Sequence, residues 1–185
     1  MRNTYYAHDM RAPELKVYCG EGAYNKGCAI NGRGLNVELE KVEPFQTFAF
    51  NDYAVTALPA RHAQGDGALF YIIQHGGKNL LFAHDTGYFY DEVFSFIRDK
   101  GFRFDLVSMD CTNVDIPIND EGSHMGIPNI ERVLDRLTEM GAVDEKTIKV
   151  INHFSHNANP LHHVREERVK DKGWLVTYDG MSMEI

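Results

Sequence analysis

Residues 57–85, ALPARHAQGDGALFYIIQHGGKNLLFAHD, constrain the fold of this chain more than any other stretch. An apolar run ends on Arg61-His62 and is followed by a glycine-bearing turn. Two β-rich runs then flank His75-Gly76-Gly77-Lys78-Asn79, which reads as a hairpin turn. The second run stops at Ala83, and His84-Asp85-Thr86-Gly87 follows. Each end of the hairpin thus presents a polar, ligand-capable residue where a strand stops. A strand fixes the direction of such a side chain, and the loop beyond it opens to solvent. A third delivery of this kind is Ile148 to Ser155, where an apolar run leads into Asn152-His153 and on to His156.

The chain has 185 residues, which predicts a single domain spanning 1–185 with a sizeable core. Lys and Arg number 19 against 27 Asp and Glu, a formal charge of −8 with no basic run, so no nucleic-acid partner is expected. An acidic balance leaves phosphate substrates open, because bound cations reverse the local field. No apolar stretch approaches the ~20 residues of a membrane helix, so no membrane partner is expected. The N-terminus lacks the apolar core of a signal peptide. Cys19, Cys28 and Cys111 are an odd set without a close pair, which favours reduced thiols and a cytoplasmic location.

In order, residues 1–14 read as irregular, with His8 on the surface. A strand (15–19), a weak helix (23–30), a turn at 31–34 and three strands (35–42, 46–51, 53–59) follow. Beyond the hairpin come a helix over 88–100 stopped by Gly101, a buried strand over 104–109 and a long loop. Pro128 then opens a helix with the stripe Ile130, Val133, Leu134, Leu137 and Met140, closed by Gly141. A strand (147–152), a charged helix from 159–160 to 172–173 and a last strand (174–178) complete the chain. Strands dominate the first half and alternate with helices in the second. That order suits a mixed sheet with helices packed against it.

For the chemistry, His62 by itself reads as a polar strand-end histidine, and Asp85 competes with an ordinary turn or helix cap. His153 and His156, three apart beyond a strand, shift the balance towards a metal site. A carboxylate bridging two cations with imidazoles on either side suits Zn²⁺ or Mn²⁺. Paired ions of this kind activate water and stabilise charge in displacement at phosphorus. His124, in Gly122-Ser123-His124-Met125-Gly126 at a helix mouth, needs a nearby anion such as Asp110 or a substrate phosphate to serve as an acid. Cys111 follows Asp110 but reads as packing. His75, His162 and His163 read as surface residues.

Taken together, ARHAQ, GGKNLLFAHDTGYF, SMDCT, GSHMGIPNIERVLDRL, INHFSH and VTYDGM resemble the metallo-β-lactamase superfamily, in order from residue 53 to 181. The branch they resemble is that of the phosphoribosyl cyclic phosphodiesterases. The resemblance implies an α/β (α+β) fold, the αβ/βα metallo-β-lactamase sandwich, with a two-metal site at one edge. It places His62 and His153 as metal-binding histidines, Asp85 as the bridging, catalytic carboxylate, and His124 as the acid for the leaving oxygen. His156 and Asp110 fall near the site without an assigned role. The sequence contains no His-x-His-x-Asp-His motif, which supplies four ligands in the family. The chain is therefore expected to correspond to the later part of the fold, without the first strands and the main metal loop.

These implications give a metal-dependent hydrolase of a small or cyclic phosphodiester, holding two Zn or Mn ions in the intact family site. For this chain alone, partial or no metal and weak or no turnover are expected, with self-association through bare strand edges. Two alternatives stand beside that reading. One is a catalytically inactive, oligomerising fragment, and the other a thioester or lactam hydrolase of the same superfamily.

Overall fold

Among the described residues, the first two strands pair in a small sheet of their own, and the seven that follow form one sheet in which each lies beside the next in chain order. The computed structural model describes residues 13–31, 37–63, 65–156 and 160–185. The expectations for residues 1–12, including His8, and for the turn at 32–34 lie outside the described residues, as do Gln64 and the helix start at Asn159.

The strands are β1 (Leu15–Cys19), β2 (Val37–Lys41), β3 (Thr47–Phe50), β4 (Tyr53–Pro59), β5 (Leu69–His75), β6 (Lys78–Ala83), β7 (Leu106–Asp110), β8 (Ile148–Asn152) and β9 (Leu175–Val176). The helices are α1 (Glu21–Asn31), α2 (Asp91–Lys100), α3 (Ile127–Glu139) and α4 (His162–Val169), the last followed by a 3-10 turn at Lys170–Lys172. None is long and apolar enough to cross a membrane.

The β5–β6 hairpin forms as the sequence indicates. His75 pairs with Lys78, and the two residues between them, Gly76 (φ 56°) and Gly77 (φ 82°), both take positive φ. A two-residue turn that follows the strands' twist requires this, and glycine adopts it without a Cβ clash. Helices α2 and α3 end alike. Gly101 (φ 68°) donates to the Arg98 carbonyl and Phe102 to Ile97. Gly141 (φ 73°) donates to Thr138 and Ala142 to Leu137. The carbonyls left over at each helix end are thereby satisfied.

The core lies between the sheet and helices α2 and α3. Val93, Phe94 and Ile97 from α2 and Ile130, Val133, Leu134 and Leu137 from α3 are buried with Phe70, Ile72, Leu81, Val107 and Met109 from the strands. Strand β7 is buried at all five positions, as expected for a parallel strand between two others.

Strand direction positions the site. Strands β6, β7, β8 and β9 run parallel. Strand β4 is antiparallel to β5, and β5 to β6, so β4 runs the same way as β6. The C-terminal ends of β4, β6, β7 and β8 therefore share one edge of the sheet. That edge is where open sheets of this kind bind ligands.

Candidate metal centre

Four residues from three of these strand ends and one loop converge there. Asp85 follows β6, Asp110 ends β7, His153 follows β8 and His124 lies in the loop before α3. Each offers a ligand atom, and the four atoms lie within 4.8 Å of one another. Asp85 (φ 51°) and His153 (φ 59°) both adopt left-handed backbone. Non-glycine residues rarely do so, and the strain is tolerated most readily where it aims a side chain.

Asp110 is the anchor, with no solvent exposure at all. The backbone N–H of Thr112 donates to its Oδ1 at 3.0 Å and that of Thr86 to Oδ2 at 3.3 Å. His124 Nδ1 lies 2.9 Å from Asp110 Oδ2 and therefore donates to it. The anion that His124 needs from the sequence argument is thus beside it.

Thr112 orders the second imidazole. Its hydroxyl donates to the His153 carbonyl at 2.9 Å, so the His153 Nδ1–H, 2.8 Å away, donates to the same oxygen. Both imidazoles then carry their proton on Nδ1 and present an Nε2 lone pair. Metal-binding histidines are commonly held in this form by a hydrogen-bonded partner. The His153 Nε2 lies 3.2 Å from Asp85 Oδ1. A lone pair facing a carboxylate oxygen at that range repels unless a proton or cation stands between them. Two imidazoles and two carboxylates are also a donor set for Zn²⁺ or Mn²⁺, so the residues fit a divalent ion.

His62 stands alongside this group rather than within it. Its Nε2 is 3.5 Å from Asp85 Oδ1, and its ring packs edge-on against His124 with centroids 4.9 Å apart. Arg61 ties the β4–β5 loop into place. Its backbone N–H donates to Thr86 Oγ1, its carbonyl accepts from Gly87, and its guanidinium pairs with Glu121 at 2.6 Å.

The remaining histidines divide clearly. His84 packs its ring 3.9 Å from that of Phe82 and contacts Ser108 Oγ at 2.8 Å. Burial first, then the nearby His153, pushes its pKa down to about 4, so it is a neutral support beneath the cluster. His75 pairs with Asp52 on the hairpin tip and His162 with Glu166 on α4. His156 is exposed and lines a groove next to His153. Cys111 is fully buried, and burial drives its thiol up to about 12, which removes it as a nucleophile.

Sequence reasoning left two residues without roles that the geometry makes central, Asp110 and Thr112. The available signal was a carboxylate at the end of a strand that is otherwise wholly apolar or small. Such a carboxylate sits where burial demands partners.

The sequence profile of the beta-lactamase superfamily domain matches residues 1–154. The chain belongs to this superfamily. Solved metallo-β-lactamase structures show the same fold. The metallo-beta-lactamase fold protein YhfI from Bacillus subtilis is 16% identical, with a TM-score of 0.69 over 96% of this chain and 68% of that one. A diphosphatase from the PhnP family is 13% identical, with a TM-score of 0.64 over 97% of this chain and 62% of that one. Zn²⁺-bound PqqB from Methylobacterium extorquens is 14% identical, with a TM-score of 0.62 over 94% of this chain and 66% of that one. The chain thus spans roughly two thirds of the length of these metallo-β-lactamase-fold proteins. No curated protein matches the sequence significantly.

Proposed function

We propose that this metallo-β-lactamase-fold chain is a metal-dependent hydrolase whose substrate is a small or cyclic phosphodiester. The observation that carries the reading is the convergence of Asp85, Asp110, His124 and His153 at one sheet edge, with both imidazoles anchored through Nδ1. Asp85, His153 and His62 would hold the metal, Zn or Mn. Bound divalent ions supply a Lewis acid and a water of lowered pKa.

The chain's own groups do the rest. Asp110 fixes the His124 ring through Nδ1, which leaves Nε2 as the atom that carries a proton to a departing alkoxide. Asp110 also stabilises the imidazolium form that such a proton carrier passes through. The PhnP-family diphosphatase among the structural neighbours supports a phosphorus substrate. The net charge of −8 disfavours a nucleic acid, whose backbone binds through basic residues. The absence of His-x-His-x-Asp-His from the sequence supports a second reading, in which the chain alone turns over weakly or not at all.

Replacement of His124 distinguishes its two available roles. His124→Ala is expected to leave metal content unchanged and to slow diesters with poor alkoxide leaving groups about 10²-fold or more. Activated aryl diesters should be affected far less. Equal loss on both substrates, or loss of bound metal, would make His124 a ligand rather than an acid. Hydrolysis of thioesters or lactams in preference to phosphodiesters would overturn the substrate assignment.

A further inference from the structure

His124 sits in a loop whose base is closed where the Asn113 N–H donates to the Met125 carbonyl and the Ile127 N–H to that of Val114. The tip of the loop is a tight turn. The Gly122 N–H donates to the Asn119 carbonyl at 3.0 Å, and the Glu121 N–H to Asn119 Oδ1 at 3.0 Å. The two residues inside that turn, Asp120 and Glu121, pair with arginines from different elements. Arg132 of α3 takes Asp120, and Arg61, just beyond β4, takes Glu121. Each guanidinium also lies on a ring of the segment that follows Asp85. Arg61 lies on Tyr90, 4.1 Å from the centroid, and Arg132 on Tyr88, at 4.4 Å. Arg61 Nε donates to the Tyr88 carbonyl as well. Between the two clasps the backbones touch, so that a Cβ on Gly87 would overlap the Gly122 carbonyl oxygen.

The Glu121 side chain is 77% exposed, and an isolated ion pair there would contribute little. Two pairs on consecutive residues of a closed turn act together. Each guanidinium is already held by an aromatic face, so less side-chain freedom is lost when it takes its carboxylate. The imidazole needs this help, because its contacts to Asp110 and Thr112 both run through Nδ1. They fix one nitrogen, and the direction of Nε2 is left to the backbone that carries the ring. We infer that Arg61 and Arg132 are positioning residues, which through Glu121 and Asp120 lock the His124 loop onto the Asp85 loop and so aim His124 Nε2 at the leaving oxygen. The aim at a leaving oxygen rests on the hydrolase reading, whereas the lock between the two loops stands without it.

The test uses the double variant Asp120→Asn/Glu121→Gln, whose side chains are 47% and 77% exposed and lie outside the core. In metal-free protein the Gly87 amide is buried and donates to the Arg61 carbonyl. Hydrogen exchange followed by NMR should show it exchanging about 10-fold faster in the variant, with the amides of β7 unchanged. On metal-loaded protein the same variant should slow diesters with poor alkoxide leaving groups about 10-fold, with activated aryl diesters, KM and metal content little changed. It should cost nothing further in a His124→Ala background. Arg61→Gln should reproduce the pattern, and Gly87→Ala, a wedge between the loops, should do so without altering a charge. Unchanged exchange at Gly87 would overturn the lock. Faster exchange with both substrates slowed equally, or with neither slowed, would overturn the positioning role. If the parent protein hydrolyses no diester, the hydrolase reading falls, and exchange at Gly87 alone decides whether the two loops are locked.

Discussion

Asp110 is wholly excluded from solvent, yet it accepts from two backbone N–H groups and from His124. A carboxylate in that position acts through the imidazole it holds. Asp110→Asn keeps the volume but replaces one acceptor oxygen with an amide N–H, which cannot accept from the His124 Nδ1–H. Turnover of diesters with poor alkoxide leaving groups is expected to fall about 10- to 100-fold at unchanged metal content, because His124 is no longer held for proton transfer. Steady-state rates with elemental analysis of the same samples measure it, and an unchanged rate would show that Asp110 supports the fold alone. The residue next to it behaves differently. The Cys111 thiol, buried and pushed up to about 12, should resist thiol reagents in native protein at pH 8 and react fully in denaturant. Rapid native labelling of Cys111, read by peptide mass, would show that β7 opens at its end.

Asp105 joins two elements, since its carboxylate sits just before β7 and reaches back to the start of β6. It accepts from the Asn79 backbone N–H at 2.9 Å and from Lys78 Nζ at 3.0 Å. The backbone bond chiefly, and Lys78 after it, hold its pKa below the ordinary value. The folded state therefore takes up the proton less readily than the unfolded one. Its contribution is fully present well above the unfolded pKa of about 3.9 and is lost as pH falls through the lower folded value. Asp105→Asn is expected to lower stability at pH 7 by about 0.5–1 kcal/mol. It should also make the decline between pH 5 and pH 2 shallower, and urea unfolding across that range measures both. An acid limb as steep as in the parent would sink the assignment.

Local signals made most elements legible in the sequence. Gly76-Gly77 between alternating runs located the hairpin, and the stripe from Ile130 to Leu137 with Gly141 located α3. Elements set by long-range contacts were less so. Strand β9 was expected over 174–178 but covers only Leu175–Val176, because it is the sheet's edge and pairs with β8 alone. Helix α2 begins at Asp91 rather than residue 88, since the Tyr88 carbonyl accepts from Arg61 Nε and Tyr90 stacks on the same guanidinium. The placement of Asp85, His153 and His124 at one edge was expected from the residues and the family resemblance. The Thr112 contact with His153 spans 41 positions, and the left-handed turns at Asp85 and His153 leave no trace in residue type.

The whole molecule sets how much metal it can hold. Three co-directional strand ends and the loop before α3 bring Asp85, Asp110, His153 and His124 within 4.8 Å, with His62, just beyond β4, 3.5 Å from Asp85 at the rim. Asp85, His153 and His62 would give three donors, enough with a water for one four-coordinate ion. Two such ions sharing a carboxylate need about seven ligand atoms, and the sequence carries no His-x-His-x-Asp-His to add more. The expected result is close to one Zn or Mn per chain at saturation, measured by elemental analysis after gel filtration. A single tight site should also raise Tm with metal concentration, because an ion bound only by the folded chain stabilises it in proportion to the logarithm of its excess over Kd. His153→Ala should abolish both effects. Two ions per chain would require donors beyond this cluster, contributed by a second copy or another chain. No metal under any condition would leave the Asp85–His153 contact to a shared proton and remove the hydrolase reading for this chain alone.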